Sequence, residues 1–354
     1  MIRRVSRIHY FWVVLLVLVG LTAPLPYVLV EPGSPNNVLG KVKGKPLLEI
    51  TGAKVYPTNG KLNLTSIWVT NADSHIQTFE LLRAWIDGER SVEPREVFYP
   101  NGVDPKKVID DSVLEMKSSQ LSAQLATLNY LKIPFGQRFV IKNFTNDSPN
   151  KKVLKKEDEV VTYAGIKIKS PAQLKSMIRS TRSKTVQIGV IRAGKSLLIP
   201  VNVGSKPTGG VTTKADLSKS NFLGVLISDE YDLPFKVKVN LKNVGGPSAG
   251  LMLTLGIIDE LTVDDLTGGK IISGTGTINY LGEVGPIGGI RQKLEGAKKG
   301  GSEIFLAPID NCAEVGSSYY KNIPVVAIKN LNDAISAIKT FNKTGTAEGL
   351  NLCS

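Results

Sequence analysis

Histidine is nearly absent from this chain: His9 and His75 are the only two in 354 residues. Cysteine is as scarce, with Cys312 and Cys353 alone, both near the C-terminal end. No spacing of these residues suits a zinc site, and neither cysteine has a nearby histidine to make a thiol protease. Aromatics make up 6% of the chain, and no stretch interleaves them with basic residues as a nucleic-acid platform would. Acidic residues are outnumbered, leaving a formal net charge of +13. The lysines behind that excess are scattered along the whole chain, which reads as a solvated basic surface; attraction to an anionic surface is the alternative.

What is present begins with a long apolar run. Residues 10–30, YFWVVLLVLVGLTAPLPYVLV, follow Arg3, Arg4 and Arg7. That length is about what a bilayer span requires, and the basic flank would sit on the cytoplasmic side. The expectation is a single-pass cell-membrane anchor with everything after residue 30 outside the cytoplasm. A cleaved signal peptide is the alternative, disfavoured by Pro24, Pro26 and the lack of a small-x-small site. In an oxidising compartment Cys312 and Cys353 can close a disulfide that ties the tail down; two free thiols is the other reading.

The chemistry is concentrated in two runs, NVGGPSAGLM (243–252) and PIGGIRQK (286–293). Gly246-Pro247-Ser248-Ala249-Gly250 fits the G-x-S-x-G nucleophile elbow, but that arrangement needs a histidine after the serine in chain order. Both histidines precede Ser248, so the base must be something else. A lysine with its pKa lowered by apolar surroundings can activate a serine. Pro247 at a first helical position, followed by strong helix formers to Leu261, predicts a buried helix with Ser248 in its first turn. Gly246 and Pro247 would shape the backbone there, with unpaired N–H groups available to an oxyanion. Gly288-Gly289 then opens a short amphipathic helix that carries Lys293. By spacing alone, a tight turn feeding a core helix and a solvated surface lysine account for the same residues.

Gly189-Val-Ile-Arg-Ala-Gly194-Lys-Ser196 satisfies the phosphate-loop pattern G-x-x-x-x-G-K-[ST]. A phosphate loop must be followed by a helix, and LLIPVNV, β-prone with Pro200 inside, cannot supply one. The run is read as a hairpin turn over Arg192–Lys195. No nucleotide, metal or other cofactor is expected.

GPSAG, then Thr275-Gly-Thr-Ile278, then Gly282-Glu-Val-Gly-Pro-Ile-Gly-Gly-Ile-Arg-Gln-Lys293, then Phe305-Leu-Ala-Pro308, resembles the proteolytic domain of Lon proteases. The resemblance implies Ser248 as nucleophile, Lys293 as general base and Thr275 as support for the lysine. Two family acids are missing: Gly245 stands three before the serine, and Thr277 replaces a glutamate. Residues 51–69 and 111–128 resemble the first strands and first helix of the same domain. The resemblance also implies a homo-oligomeric ring, a hexamer. Many members of that family carry an ATPase module that unfolds substrates; none is seen here, so ATP-independent cleavage of exposed or flexible segments is expected.

Residues 129–205 have their own signature of a strand, a Ser-Pro turn, a hairpin, a helix and two more strands. This segment resembles a PDZ domain of the bacterial protease type, with Leu154-Lys-Lys-Glu-Asp-Glu-Val160 in place of L-x-x-G-D-x-I and Glu157 where glycine is expected. The expected organisation is therefore an anchor over 1–30, the first part of a Lon-like domain over 31–128, an inserted PDZ domain over 129–205, the catalytic part over 206–341 and a tail over 342–354. The fold class is α/β (α+β) with a β-rich insertion and one N-terminal transmembrane helix. The expected function is that of a serine endopeptidase with a Ser-Lys dyad, acting on protein or peptide substrates engaged by the PDZ module. A membrane-tethered PDZ adaptor on a degenerate protease fold, and a protease that cuts only itself, are the competing readings.

Overall fold

A computed structural model describes residues 7–22, 24–205, 221–241, 244–315 and 323–353. Arg3, Arg4, Asn243 and the expected resumption of the catalytic part at residue 206 lie outside the described residues. The chain forms two compact units, one of Met1–Ile133 with Phe235–Ser354 and one of Pro134–Pro234.

The first unit is a mixed α/β structure around a five-stranded sheet. Val325–Ile328, Ile304–Pro308, Ile271–Gly274 and Lys61–Leu64 run parallel in that order, and Asn36–Asn37 closes the edge antiparallel. IFLAP and VVAI are continuous apolar runs and are buried at every position. That is the pattern of parallel strands covered on both faces. Helices Gly250–Leu261, Ile290–Lys299 and Leu331–Thr344 pack on the sheet, and the long helix Pro105–Tyr130 packs on Gly250–Leu261. Gly250–Leu261 is apolar nearly all round and is buried from Gly250 to Asp259, as such a helix must be. Ile290–Lys299 joins two neighbouring parallel strands as a β-α-β crossover, and so carries Lys293 directly above the sheet's core.

The expected transmembrane helix is corrected by this fold. The apolar run divides: helix Arg7–Thr22 has 16 residues, and a strand follows at Tyr27–Pro32. At 1.5 Å per residue such a helix reaches about 24 Å, short of the roughly 30 Å hydrocarbon layer. Among the described residues no helix is long and apolar enough to cross a membrane. The second half of the run belongs to the protein core. Tyr27–Pro32 is the middle strand between Ser91–Pro94 and Ile67–Val69, and Val28, Leu29 and Val30 are buried. Pro24 and Pro26, which cannot continue a helix, mark the break.

The second unit is an antiparallel sheet ordered Lys195–Asn202, Thr185–Arg192, Glu159–Tyr163, Gly136–Phe144 and Val225–Asp232, with Ile166–Lys167 also on Glu159–Tyr163. The outermost strand, Val225–Asp232, comes from beyond residue 205, so the unit extends further along the chain than the 129–205 segment. Helix Pro171–Ser180 starts from Ser170, whose side chain accepts from the Gln173 N–H, with proline at the first position. The helix and strands share a core that includes Ile141, Tyr163, Leu174, Ile188 and Val201. The phosphate-loop pattern forms the hairpin between Thr185–Arg192 and Lys195–Asn202, with Arg192 paired across to Lys195. Ala193 and Gly194 both take positive φ, as a two-residue hairpin requires. Pro200 lies on the edge strand, where its missing N–H leaves no gap in the ladder. Glu157 has φ 67°, so it takes the left-handed position where glycine was expected.

Candidate active site

Ser248 lies just ahead of the buried helix rather than in its first turn. The helix begins at Gly250, and Ser248 forms part of the turn before it. A helical residue leaves its carbonyl to the N–H four residues on. The Ser248 carbonyl is instead taken by the Gly276 N–H at 3.0 Å and the Thr275 hydroxyl at 3.2 Å. Leu251 N–H returns to the Gly276 carbonyl at 3.1 Å, so the serine turn is stitched to the end of a core strand. Gly276 tolerates this approach because it has no side chain; a Cβ there would meet Val284 at 2.9 Å.

The residues before the serine dock on helix Pro105–Tyr130. Gly246 N–H donates to the Ser112 carbonyl at 2.9 Å, and the Ser119 hydroxyl donates to the Pro247 carbonyl at 2.8 Å. Gly246 has φ 80°, the left-handed conformation that glycine adopts without penalty. Gly245, which stands where the resemblance leads one to expect an acid, has the Ser112 hydroxyl 2.2 Å from where its Cβ would be. The long helix therefore occupies the space an acidic side chain would enter. Neither serine was singled out from the sequence, since each lies more than a hundred residues from the loop it holds.

Lys293 comes in from the crossover helix. Its Nζ donates to Ser248 Oγ at 2.9 Å and to Thr275 Oγ1 at 3.0 Å. The structure thus brings Ser248, Thr275 and Lys293 together from three separate elements. Lys293 is 3% exposed, and no carboxylate is within ion-pair distance of it among the described residues. Burial alone pushes its pKa down to about 7. Near neutral pH a substantial share of the amine is uncharged and can accept a proton. Thr275, fully buried, accepts one amine N–H while its own O–H goes to the Ser248 carbonyl, which fixes the amine's orientation.

Cys312 and Cys353 are joined as a disulfide, and no free cysteine remains among the described residues. No group of residues able to hold a metal ion is found among the described residues.

Residues 240–340 match the family of the Lon protease (S16) C-terminal proteolytic domain. The chain is 30% identical over 113 residues to a Lon protease of Helicobacter pylori, covering 31% of this chain and 13% of that protein. It is 36% identical over 93 residues to Lon protease 2 of Herpetosiphon aurantiacus, covering 25% and 11%. A Lon protease of Flavobacterium johnsoniae matches over 169 residues at 24% identity, 46% of this chain and 20% of that one. The chain therefore spans only about an eighth of the length of the first two. A crystal structure of the PDZ domain of an SdrC-like protein from Listeria innocua matches 25% of this chain and 92% of its own, at 18% identity and a TM-score of 0.21. The matched segment is similar to the proteolytic domain of Lon proteases, which supports a serine peptidase.

Proposed function

We propose that this chain is an endopeptidase that cleaves protein or peptide segments with Ser248 as nucleophile and Lys293 as general base, without nucleotide. The observation that carries the reading is the buried lysine without a counter-ion, 2.9 Å from the serine hydroxyl. With one N–H held by Thr275, the neutral amine turns its lone pair to Ser248 Oγ and accepts its proton as the oxygen attacks the scissile carbonyl. The resulting ammonium returns a proton to the leaving amine, and the acyl-serine is released by a water activated in the same way. A non-catalytic adaptor has no use for an unpaired buried lysine, which costs stability at any pH where it is protonated. The one phosphate-loop pattern is a hairpin, which supports a reaction that does not consume ATP.

The second unit is read as a PDZ-like module that takes extended segments. Val225–Asp232 is an edge of its sheet, and an added strand there would receive the backbone groups left open on that side. An extracytoplasmic site of action is supported by the disulfide, since such bonds persist in oxidising compartments. A homo-oligomeric ring is the assembly proposed, on the resemblance to Lon proteolytic domains alone.

The test is turnover of an unfolded protein by the full chain in the absence of ATP, beside Ser248→Ala and Lys293→Ala. Cleavage by the parent and none by either variant is the expected result. A parent that only shortens itself, with added substrate untouched, points to self-processing. Residual cleavage by Ser248→Ala removes the dyad from the account.

A further inference from the structure

The helix that carries Lys293 starts from a turn of two glycines, of which Gly289 packs against Ile67 and Gly288 lies in open space. Gly289 precedes it in the left-handed conformation, with φ 69°, and no side chain caps the helix. Gly288, beside it, has no atom within 4 Å of where a Cβ would sit. Two glycines in sequence give this turn more backbone freedom than any other residue pair would. Yet Lys293, whose N–H donates to the Gly289 carbonyl at 3.1 Å, must be held closely enough to keep its bond to Ser248.

The restraint comes from Asn311, in the 3-10 turn Ile309–Glu314. Its Oδ1 accepts from the Ile287 N–H at 2.9 Å, and its Nδ2 donates to the Ile287 carbonyl at 2.8 Å. The second Nδ2 hydrogen goes to Glu314 Oε1 at 2.9 Å. One amide side chain thus claims both backbone groups of one loop residue, as a paired strand would, with both of its own N–H groups in use. Asn311 is 1% exposed, so water cannot replace these bonds. The turn is anchored in its own right. Cys312, next in sequence, is bonded to Cys353, whose N–H donates to the Val325 carbonyl on the sheet edge at 2.9 Å. Arg291, on the lysine helix, donates from Nε to the Glu314 carbonyl at 2.9 Å, a second tie between turn and helix.

We infer that Asn311 is a positioning residue for the reaction: it touches neither Ser248 nor Lys293, and it sets the lysine by clamping Ile287 ahead of the flexible glycine pair. The inference rests on the Ser-Lys reading, in that it assigns Asn311 a role in placing that base. Loss of the clamp lets the helix start drift, and a misplacement of about 1 Å is enough to cost on the order of a hundredfold in rate.

The experiment compares the full chain with Asn311→Ala and with the double variant Asn311→Asp/Glu314→Gln. The double variant keeps an acceptor for the Ile287 N–H and restores an amide–carboxylate contact with the roles exchanged, but gives up the donor to the Ile287 carbonyl, so it keeps half of the clamp. Each protein is assayed for kcat and KM across pH, and the Lys293 ammonium is titrated by 15N NMR in lysine-labelled protein. Asn311→Ala is expected to lower kcat about tenfold to a hundredfold per folded molecule with little change in KM, and to move the lysine titration upward as its site loosens; the double variant recovers part of both. If Asn311→Ala fails to fold, the double variant alone carries the test through the same two readouts. Unchanged kcat and an unchanged lysine titration in folded variant protein would overturn the inference. A parent that cleaves nothing sinks the Ser-Lys reading instead, and the NMR titration still reports whether Asn311 places the lysine.

Discussion

Each unit of this protein sets a basic side chain against a buried polar partner, and the two do it in opposite ways: Arg192 is half-buried and meets a carboxylate, Lys293 is buried and meets hydroxyls. In the second unit Arg192 meets Asp158 through two bonds of 2.7 Å, Nε to Oδ1 and Nη2 to Oδ2. Asp158 is fully buried and also accepts from the Lys155 N–H at 2.8 Å, while Arg192 Nη2 reaches the Val153 carbonyl at 2.9 Å. Those bonds raise the arginine's pKa above its already high ordinary value, and the charge stays. In the first unit Lys293 meets two hydroxyls and no carboxylate, and burial drives it toward neutrality. A buried charge that is paired is a structural tie; a buried amine left unpaired becomes a base. The two sites differ both in partner and in depth, since Arg192 keeps some access to solvent and Lys293 has almost none.

The largest effect comes from forcing the first site to behave like the second. Lys293→Arg places a permanently protonated group opposite Ser248, so it cannot accept the serine proton. kcat/KM for an unfolded protein is expected to fall by about a thousandfold or more, within the range a general base contributes. The parent's kcat should rise with pH through about 7, where the amine loses its proton. Stability moves the same way. The folded protein releases the lysine proton at about 7 and the unfolded chain only near 10.5, so the unfolded state binds more protons between those values. The lysine's contribution to stability therefore rises with pH across that window and is flat below it. Asp259 and Glu260, at the other end of the serine helix, oppose this at lower pH. Burial raises them to about 6 and about 7, so their contribution falls as pH rises from the ordinary carboxylate range to those values. A melt series of the parent against Lys293→Met, which cannot titrate, isolates the lysine's share. A difference between the two that does not change from pH 7 to pH 10 would contradict the assignment.

Breaking the paired site is the next test. Asp158→Asn removes the buried carboxylate opposite the half-buried Arg192 and with it the charge-assisted bonds, and is expected to cost the second unit about 2 kcal/mol. Denaturant unfolding followed by a probe within residues 134–234 would show it, while the Lys293 titration stays where it was. A variant as stable as the parent would mean that the pair contributes no more than its hydrophobic surroundings.

Much of the cluster of Ser248, Thr275 and Lys293 was legible because its parts sit in short local runs: GPSAG places the serine, GGIRQK the lysine, TGTI the threonine. The chemistry of those residue types excludes a histidine base without any coordinates. The depth at which Lys293 is buried was not legible from spacing, since it follows from a crossover helix lying over a parallel sheet built from distant segments. Ser112, Ser119 and Asn311 were missed for the same reason. Each acts on a backbone group far away in sequence, and a polar residue on a helix or turn carries no mark of what it will meet. The apolar run at residues 10–30 misled because hydropathy measures how much a segment prefers to leave water and says nothing of where it goes. Val28–Val30 leave it for a strand between two others, and only the prolines at 24 and 26 hinted at the division.

The smallest of these effects makes the finest distinction. Arg192→Lys keeps the charge beside Asp158 and gives up the planar fork, so one of the two parallel bonds to the carboxylate and the bond to the Val153 carbonyl cannot both be kept. If the pair is held mainly by charge, the second unit should lose a few tenths of a kcal/mol. If the geometry of the fork matters, the loss should reach about 1 kcal/mol, the usual net worth of one hydrogen bond. The larger value is expected, because Asp158 is fully enclosed and must have each oxygen met at a fixed direction. The new lysine should also keep its proton through neutral pH, with a carboxylate against it. It would then stand in the same protein as Lys293, the same residue type, half-buried in one unit with a counter-ion and buried in the other without. Titration of both by NMR in that one variant is expected to show the new lysine still charged at a pH where Lys293 has lost its proton, and a new lysine that titrates with Lys293 would mean that the carboxylate does not hold the charge.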